Sequence, residues 1–180
     1  MTDDPPTTNN ESASSELSQS LESSPSRLGV GRAGTRPPTR ASLEFRADHA
    51  KARDAVLTRV SEKIIQTADL FAVDSLVDDQ DEYLARPDLG RDISDETANA
   101  LRENCTVGPD VQIVVCDGLS STAVEANIKD LLPVLITGLN DRGFKVGTPV
   151  FVRFGRVNVM DAIGEELSAK SVVNLIGERP

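Results

Sequence analysis

Toward its C-terminal end the chain alternates between two hydrophobic periods. VQIVVC, Val111 to Cys116, is a short continuous apolar run of the kind found in a strand covered on both faces. Asp117-Gly118 then marks a turn, and Ser120, Ser121 or Thr122 can cap the helix TAVEANIKDLLPVLITGLNDRG. Pro133 should kink that helix or split it, and Gly143 with Gly147-Thr148-Pro149 closes it. A second strand is expected from Val150 to Phe154, followed by Gly155-Arg156-Val157 and a third apolar stretch. Asp161 to Leu167 reads as a short helix and Val172 to Ile176 as the last strand. Strand, helix, strand, helix, strand predicts an α/β fold, a parallel Rossmann-like sheet with flanking helices and right-handed crossovers.

Upstream the period is helical. In SLEFRADHAKARDAVLTRV, Leu43, Phe45, Ala47, Ala50, Val56, Leu57 and Val60 fall on one broad side of a helical wheel, with Glu44, Asp48, Lys51 and Arg59 opposite. Thr39, after two prolines, is the expected N-cap, and Glu44 suits the helix dipole near its start. His49 lies within the apolar arc, where a packed, hydrogen-bonded histidine is the ordinary expectation rather than a ligand. After a mixed stretch, Arg86-Pro87-Asp88 and Gly90 mark a turn. Ser94 or Asp95 can cap a short helix, DETANALREN, before Gly108-Pro109-Asp110 redirects the chain. Residues 1–28 are Ser-, Thr- and Pro-rich, too poor in large apolar groups to offset the entropy of ordering, and read as a disordered tail; Leu17 and Leu21 could form a transient turn. Residues 29–105 then form an arm and helical region, and 106–180 the α/β domain.

Composition changes the picture in three ways. The 180-residue chain is 3% aromatic with no Trp, so its core must be built from Val, Leu, Ile and Ala. Of the net charge of −10, residues 1–26 hold five acids and no base, and residues 27–40 hold four arginines and no acid, which leaves −9 on residues 41–180. A body that acidic repels a phosphate backbone and argues against nucleic acid as principal partner. Cys105 and Cys116 have neither metal nor disulfide spacing, no apolar stretch approaches the ~20 residues of a membrane span, and the N-terminus lacks the pattern of a secretory signal. The expected compartment is the cytoplasm.

Candidate chemistry follows from position. In open parallel sheets ligands lie beyond the carboxyl ends of the strands. Three turns qualify: Asp117-Gly118-Leu119-Ser120-Ser121, Gly155-Arg156-Val157 and Gly177-Glu178-Arg179. They form a binding edge, without a catalytic constellation: no nucleophile elbow, P-loop or paired-carboxylate pattern occurs. Asp117 can be a turn residue or a ligand contact; Arg153 and Arg156 can form ion pairs or touch a ligand. Gly29, Gly31 and Gly34 match G-x-G-x-x-G, but that motif works only between a strand and a helix, whereas here a Ser/Pro tail precedes it and Arg36-Pro37-Pro38 follows.

Taken together, GRAGTRPPTRASLEFRADHAKARDAVL, YLARPDLGR, VQIVVCDGLSSTAVEAN, KVGTPVFVRFGRVNVMDAIGEEL and VVNLIGERP resemble the small (light) subunit of ethanolamine ammonia-lyase, from about Gly31 to the last residue. The resemblance implies a hetero-oligomer in which this chain covers adenosylcobalamin against the large subunit. The large subunit would bind ethanolamine and hold the catalytic side chains, while this chain supplies none. Cleavage of the cobalt–carbon bond would yield an adenosyl radical that takes hydrogen from ethanolamine, and acetaldehyde and ammonia would follow. Two cofactor contacts carry over, the valine of F-G-R-V, Val157, and the glutamate of G-E-R-P, Glu178; a carboxylate or a carbonyl can accept from the amides of the corrin rim. His49 does not sit in the D-x-H-x-x-G pattern, so the cofactor's own benzimidazole is expected to stay on cobalt.

Family members extend beyond G-E-R-P, which makes this chain look truncated at its C-terminal end, with an incomplete binding surface. Some also carry an amphipathic N-terminal segment that directs the enzyme into a bacterial microcompartment, and residues 1–26 show no convincing version of it. Two rival readings are a nucleotide-binding module using Gly29–Gly34 or Asp117–Ser121, and an inactive fragment.

Overall fold

The structure, a computed structural model, describes residues 29–178. The expected disordered tail over 1–28, including Leu17 and Leu21, and Arg179 of the last turn lie outside the described residues. The chain divides into two compact units between His49 and Ala50. In the first, Ala33 and Arg36 exchange backbone hydrogen bonds at 2.8 and 3.3 Å around Gly34-Thr35, so the second half of the glycine motif forms a tight turn. Helix α1, Thr39–Leu57, begins after Pro38, whose carbonyl accepts the N–H of Ser42. Thr39 is therefore the first helical residue rather than the cap. The apolar side expected of α1 is not a buried one: only Ala55 is buried along the helix, while Leu43, Phe45 and Leu57 are 59, 54 and 48% exposed. His49 is exposed too, with its ring centroid 6.3 Å from that of Phe45.

The second unit holds a four-stranded, wholly parallel sheet. After α2, Glu62–Thr67, come β1, Phe71–Asp74, and α3, Gln80–Ala85. A single turn of 3-10 helix at Leu89–Arg91 leads to α4, Asp95–Asn104, capped by Ser94, whose Oγ accepts the N–H of Thr97 at 3.2 Å. The rest is β2, Val111–Cys116; α5, Ser121–Asn140; β3, Val150–Arg153; α6, Val159–Glu166; and β4, Ser171–Ile176. The strand order is β1-β3-β2-β4, with Val114 beside Val150 and Val111 to Cys116 beside Ser171 to Ile176. The α/β class and the parallel sheet with flanking helices expected from the sequence are present.

β2 is buried along its whole length because both faces are covered. On one face Val114 and Cys116 join Val73, Val150, Val152, Leu101 of α4 and Val159 and Ile163 of α6. On the other Ile113 and Val115 join Phe151, Ile65 of α2 and Val124, Ile128 and Leu132 of α5. Gln112, fully buried in the strand, donates its amide to the carbonyls of Ile113 and Thr148 at 2.9 and 2.7 Å. Pro133 does not split α5. It lies on the exposed side, as does Lys129, so the Lys129 carbonyl that loses its helical donor is at the solvent side and not in the core. β4 is the sheet edge and only half-buried from Val172 to Ile176.

Burial sets the expected response to truncation. Ile163, 0% exposed, should lose about 2–5 kcal/mol of stability as Ile163→Ala. Val134, 71% exposed on α5, should stay within about 0.5 kcal/mol as Val134→Ala. Denaturant unfolding of the two variants measures the contrast, and equal losses would contradict the placement of the core.

Candidate functional site at the carboxyl rim

The connections from β1 to β2 and from β3 to β4 travel one way across the sheet, and that from β2 to β3 travels back. The first two pass over the face covered by α4 and α6, the last over the face covered by α5. The chain therefore leaves β2 and β3 toward opposite faces, which opens a switch point at the carboxyl ends of these neighbouring strands. Asp117 fills it. Its carboxylate, 6% exposed, accepts the N–H of Gly118 on one oxygen at 3.0 Å and the N–H of Phe154 on the other at 3.2 Å. The side chain thus ties the end of β2 to the end of β3. Burial pushes its carboxyl up to about 6, although the two backbone donors and the Arg59 charge pull the other way.

Phe154 is held in the left-handed region, φ 56°, an uncommon and strained place for a bulky residue. Four contacts keep it there. Asp117 takes its N–H, the Ser75 hydroxyl donates to its carbonyl at 3.2 Å, its ring packs 5.7 Å from that of Tyr83, and the Arg59 guanidinium lies 4.3 Å from its ring centroid. The rim of β4 closes on the same point: Leu119 donates its N–H to the Gly177 carbonyl at 2.8 Å, and Gly177 donates to the Cys116 carbonyl at 3.2 Å. A Cβ on Gly118 would collide with the Gly177 carbonyl, and one on Gly177 with the Ser120 carbonyl, so two glycines let the turns stack flat on each other. Ser120 caps α5, its Oγ 3.3 Å from the Ala123 nitrogen.

The structure brings the three turns to one rim. Val157, 47% exposed, follows β3, and Glu178, exposed, follows β4 by two residues. The Val157 carbonyl already accepts Asn174 Nδ2 of β4 at 3.0 Å and, at 3.4 Å, the N–H of Met160. What Val157 offers outward is therefore its isopropyl side chain, not the carbonyl. Arg153 forms ion pairs with Glu62 at 2.6 Å and Asp74 at 3.5 Å. Arg156 instead turns inward, donating to the Tyr83 carbonyl at 2.6 Å with its guanidinium 4.1 Å from the Tyr83 ring centroid. Tyr83 is 1% exposed and its hydroxyl is buried without a hydrogen-bond partner among the described residues; burial, partly offset by the Arg156 charge, pushes its phenol up to about 12. Asn174 and Tyr83 were not among the residues singled out from the sequence. Asn174 interrupts an apolar strand, VVNLI, and Tyr83 is the one tyrosine in the chain, which were the signals available.

An open parallel α/β sheet whose loops meet at one switch point defines a Rossmann-like α/β domain. Residues 14–180 match the model of the family described as "Ethanolamine ammonia-lyase light chain (EutC)". The chain is 52% identical over 165 residues to a protein of Clostridium acetobutylicum named "Ethanolamine ammonia-lyase small subunit", covering 92% of this chain and 68% of that protein. A protein of Fusobacterium nucleatum subsp. nucleatum with the same name is 50% identical over 156 residues, covering 87% of this chain and 53% of that protein. The chain belongs to the ethanolamine ammonia-lyase light chain family, and spans about two thirds of one of these relatives and about half of the other.

The rim packs two glycine turns closely against each other, exposes an apolar group at Val157, and ends in the acceptor-only carboxylate of Glu178. Among the described residues no group of three His, Cys, Asp or Glu side chains is placed to hold a metal ion, and no helix is long and apolar enough to cross a membrane.

Asp117 predicts a pH signature. Its folded pKa, about 6, lies above its ordinary 3.8, so the folded chain holds the proton to higher pH. The contribution of Asp117 to stability is full below about pH 4 and is lost as pH rises through about 6, on the order of 3 kcal/mol. Asp88, Glu96 and Asp110, whose carboxyls are held low, act in the opposite sense but equally in an Asp117→Asn chain. Unfolding free energies between pH 4 and 7 should therefore show the parent losing stability relative to Asp117→Asn. A flat difference would contradict the buried, ionisable carboxyl.

Proposed function

We propose that this chain is the small subunit of an adenosylcobalamin-dependent ethanolamine ammonia-lyase, and that residues 106–180 face the cofactor in a hetero-oligomer with the large subunit. The large subunit binds ethanolamine and carries the catalytic side chains; the products are acetaldehyde and ammonia. The observation that carries the reading is the convergence of an exposed apolar residue, Val157, and an exposed carboxylate, Glu178, on the switch-point rim of a family member. The same reading places the enzyme in the bacterial cytoplasm, inside a microcompartment where the host builds one.

When bound, adenosylcobalamin supplies the radical chemistry. This chain's share is positional. The Val157 side chain packs against the corrin, and Glu178 accepts from its rim amides. The turns around Asp117, closed by hydrogen bonds among themselves, keep water from the face they cover. No residue of the chain transfers a proton in this scheme.

The test is cofactor retention by the chain co-expressed with an ethanolamine ammonia-lyase large subunit. Glu178→Ala should weaken adenosylcobalamin binding about tenfold to a hundredfold, the range of a charge-assisted hydrogen bond, with the unfolding transition of the chain little changed. An unchanged affinity removes Glu178 from the site. A complex that forms without retaining cofactor shows that the additional length of the relatives is needed for binding.

A further inference from the structure

The Val157 turn is anchored at one end and latched at the other. The anchor is Arg156. Its backbone N–H donates to the Gly90 carbonyl at 2.7 Å, its guanidinium to the Tyr83 carbonyl at 2.6 Å, and the same group stacks on the Tyr83 ring. There is no slack in that anchor: a Cβ on Gly90 would stand 2.8 Å from both Arg156 Cγ and the Phe154 carbonyl oxygen. Beyond Arg156 the turn is held at the Val157 carbonyl, by Asn174 Nδ2 at 3.0 Å and by the Met160 N–H, the weaker donor, at 3.4 Å. Asn174 stands on β4 beside the Cys116 thiol, with its Oδ1 buried and without a hydrogen-bond partner among the described residues. A polar side chain thus occupies a half-buried, inward position of an apolar strand, where an aliphatic one is the ordinary expectation.

We propose that Asn174 is a positioning residue. It latches the Val157 carbonyl and so fixes the direction in which the Val157 side chain faces the cofactor. This rests on the function proposed above, and it assigns Asn174 a role exerted through Val157 alone.

A double-mutant cycle on the complex with the large subunit tests it, with adenosylcobalamin affinity as the readout and thermal unfolding of the cofactor-free chain alongside. Asn174→Ala should weaken binding about two- to tenfold, the value of one neutral hydrogen bond, and Asn174→Leu, which keeps bulk but lacks the donor, should do the same. Added to Val157→Ala, Asn174→Ala should change affinity no further; added to Glu178→Ala, it should multiply the loss by its own full factor. Independent effects in both pairs overturn the inference while leaving the cofactor reading in place. So does an affinity insensitive to both Asn174 variants when Glu178→Ala is impaired. If both variants fail to fold, Asn174 belongs to the framework and the inference falls. If neither Glu178→Ala nor Val157→Ala alters affinity, the function proposed above fails and takes this inference with it.

Discussion

The carboxylate of Asp117 is the joint on which the rim depends. Two turns leave neighbouring strands toward opposite faces of the sheet, and each carries a backbone N–H, on Gly118 and on Phe154, that the ladder no longer serves. An unserved buried N–H costs about 1–3 kcal/mol, so two of them would open the switch point. One side chain that accepts on both oxygens closes it, and only a carboxylate does so: an amide in its place would aim an NH2 at one of the two donors. The upward shift of the Asp117 carboxyl shows which effect wins at the site itself, since burial outweighs two hydrogen bonds and a nearby arginine. The charge is tolerated because the turns have no other way to meet.

From that joint the strain at Phe154 follows. The chain leaves β3 with its Phe154 N–H on Asp117, and it does so through a left-handed residue at a cost of about 1–3 kcal/mol. Glycine would adopt the same φ with less strain, but it would lose the ring that packs on Tyr83 and lies under Arg59. Phe154 thus links the switch point to the segment Gln80–Arg91, and that segment in turn anchors Arg156. The placement of Val157 is set by residues far away in sequence and adjacent in space.

What could be read from the chain, and what could not, divides along the same line. β2, α4, α5, β3 and β4 announce themselves because each has a clear period, a Ser cap or a glycine stop. β1 did not, because FAVD is four residues long and inside a stretch whose charges mask the alternation. On α1 the wheel found a genuine apolar side, yet periodicity reports a pattern and not a partner, and Leu43 and Leu57 remain exposed. Arg156 was open between an ion pair and a ligand contact; among the described residues it forms no ion pair, its guanidinium going instead to the Tyr83 carbonyl and ring. The three turns could be assigned to one rim from the alternation of strands and helices. The side chains that fix them there, Asn174 and Tyr83, could not, since their role exists only once the strands are paired.

The same hydrogen bonds decide what kind of ligand the rim can take. A phosphate site of the dinucleotide type needs free N–H groups at a glycine turn and at the start of a helix. Here the donors of the glycine turn are spent, Gly118 on Asp117, Leu119 on Gly177 and Ser120 on the Asp117 carbonyl, and Ala123 and Val124 of α5 donate to Ser120. A buried carboxylate at the centre adds repulsion toward any anion. The groups left facing outward are an apolar side chain at Val157 and an acceptor at Glu178. A nucleotide phosphate would meet a glycine turn whose donors are already used and a like charge, so the arrangement that closes the switch point also disfavours the nucleotide reading of Asp117–Ser121.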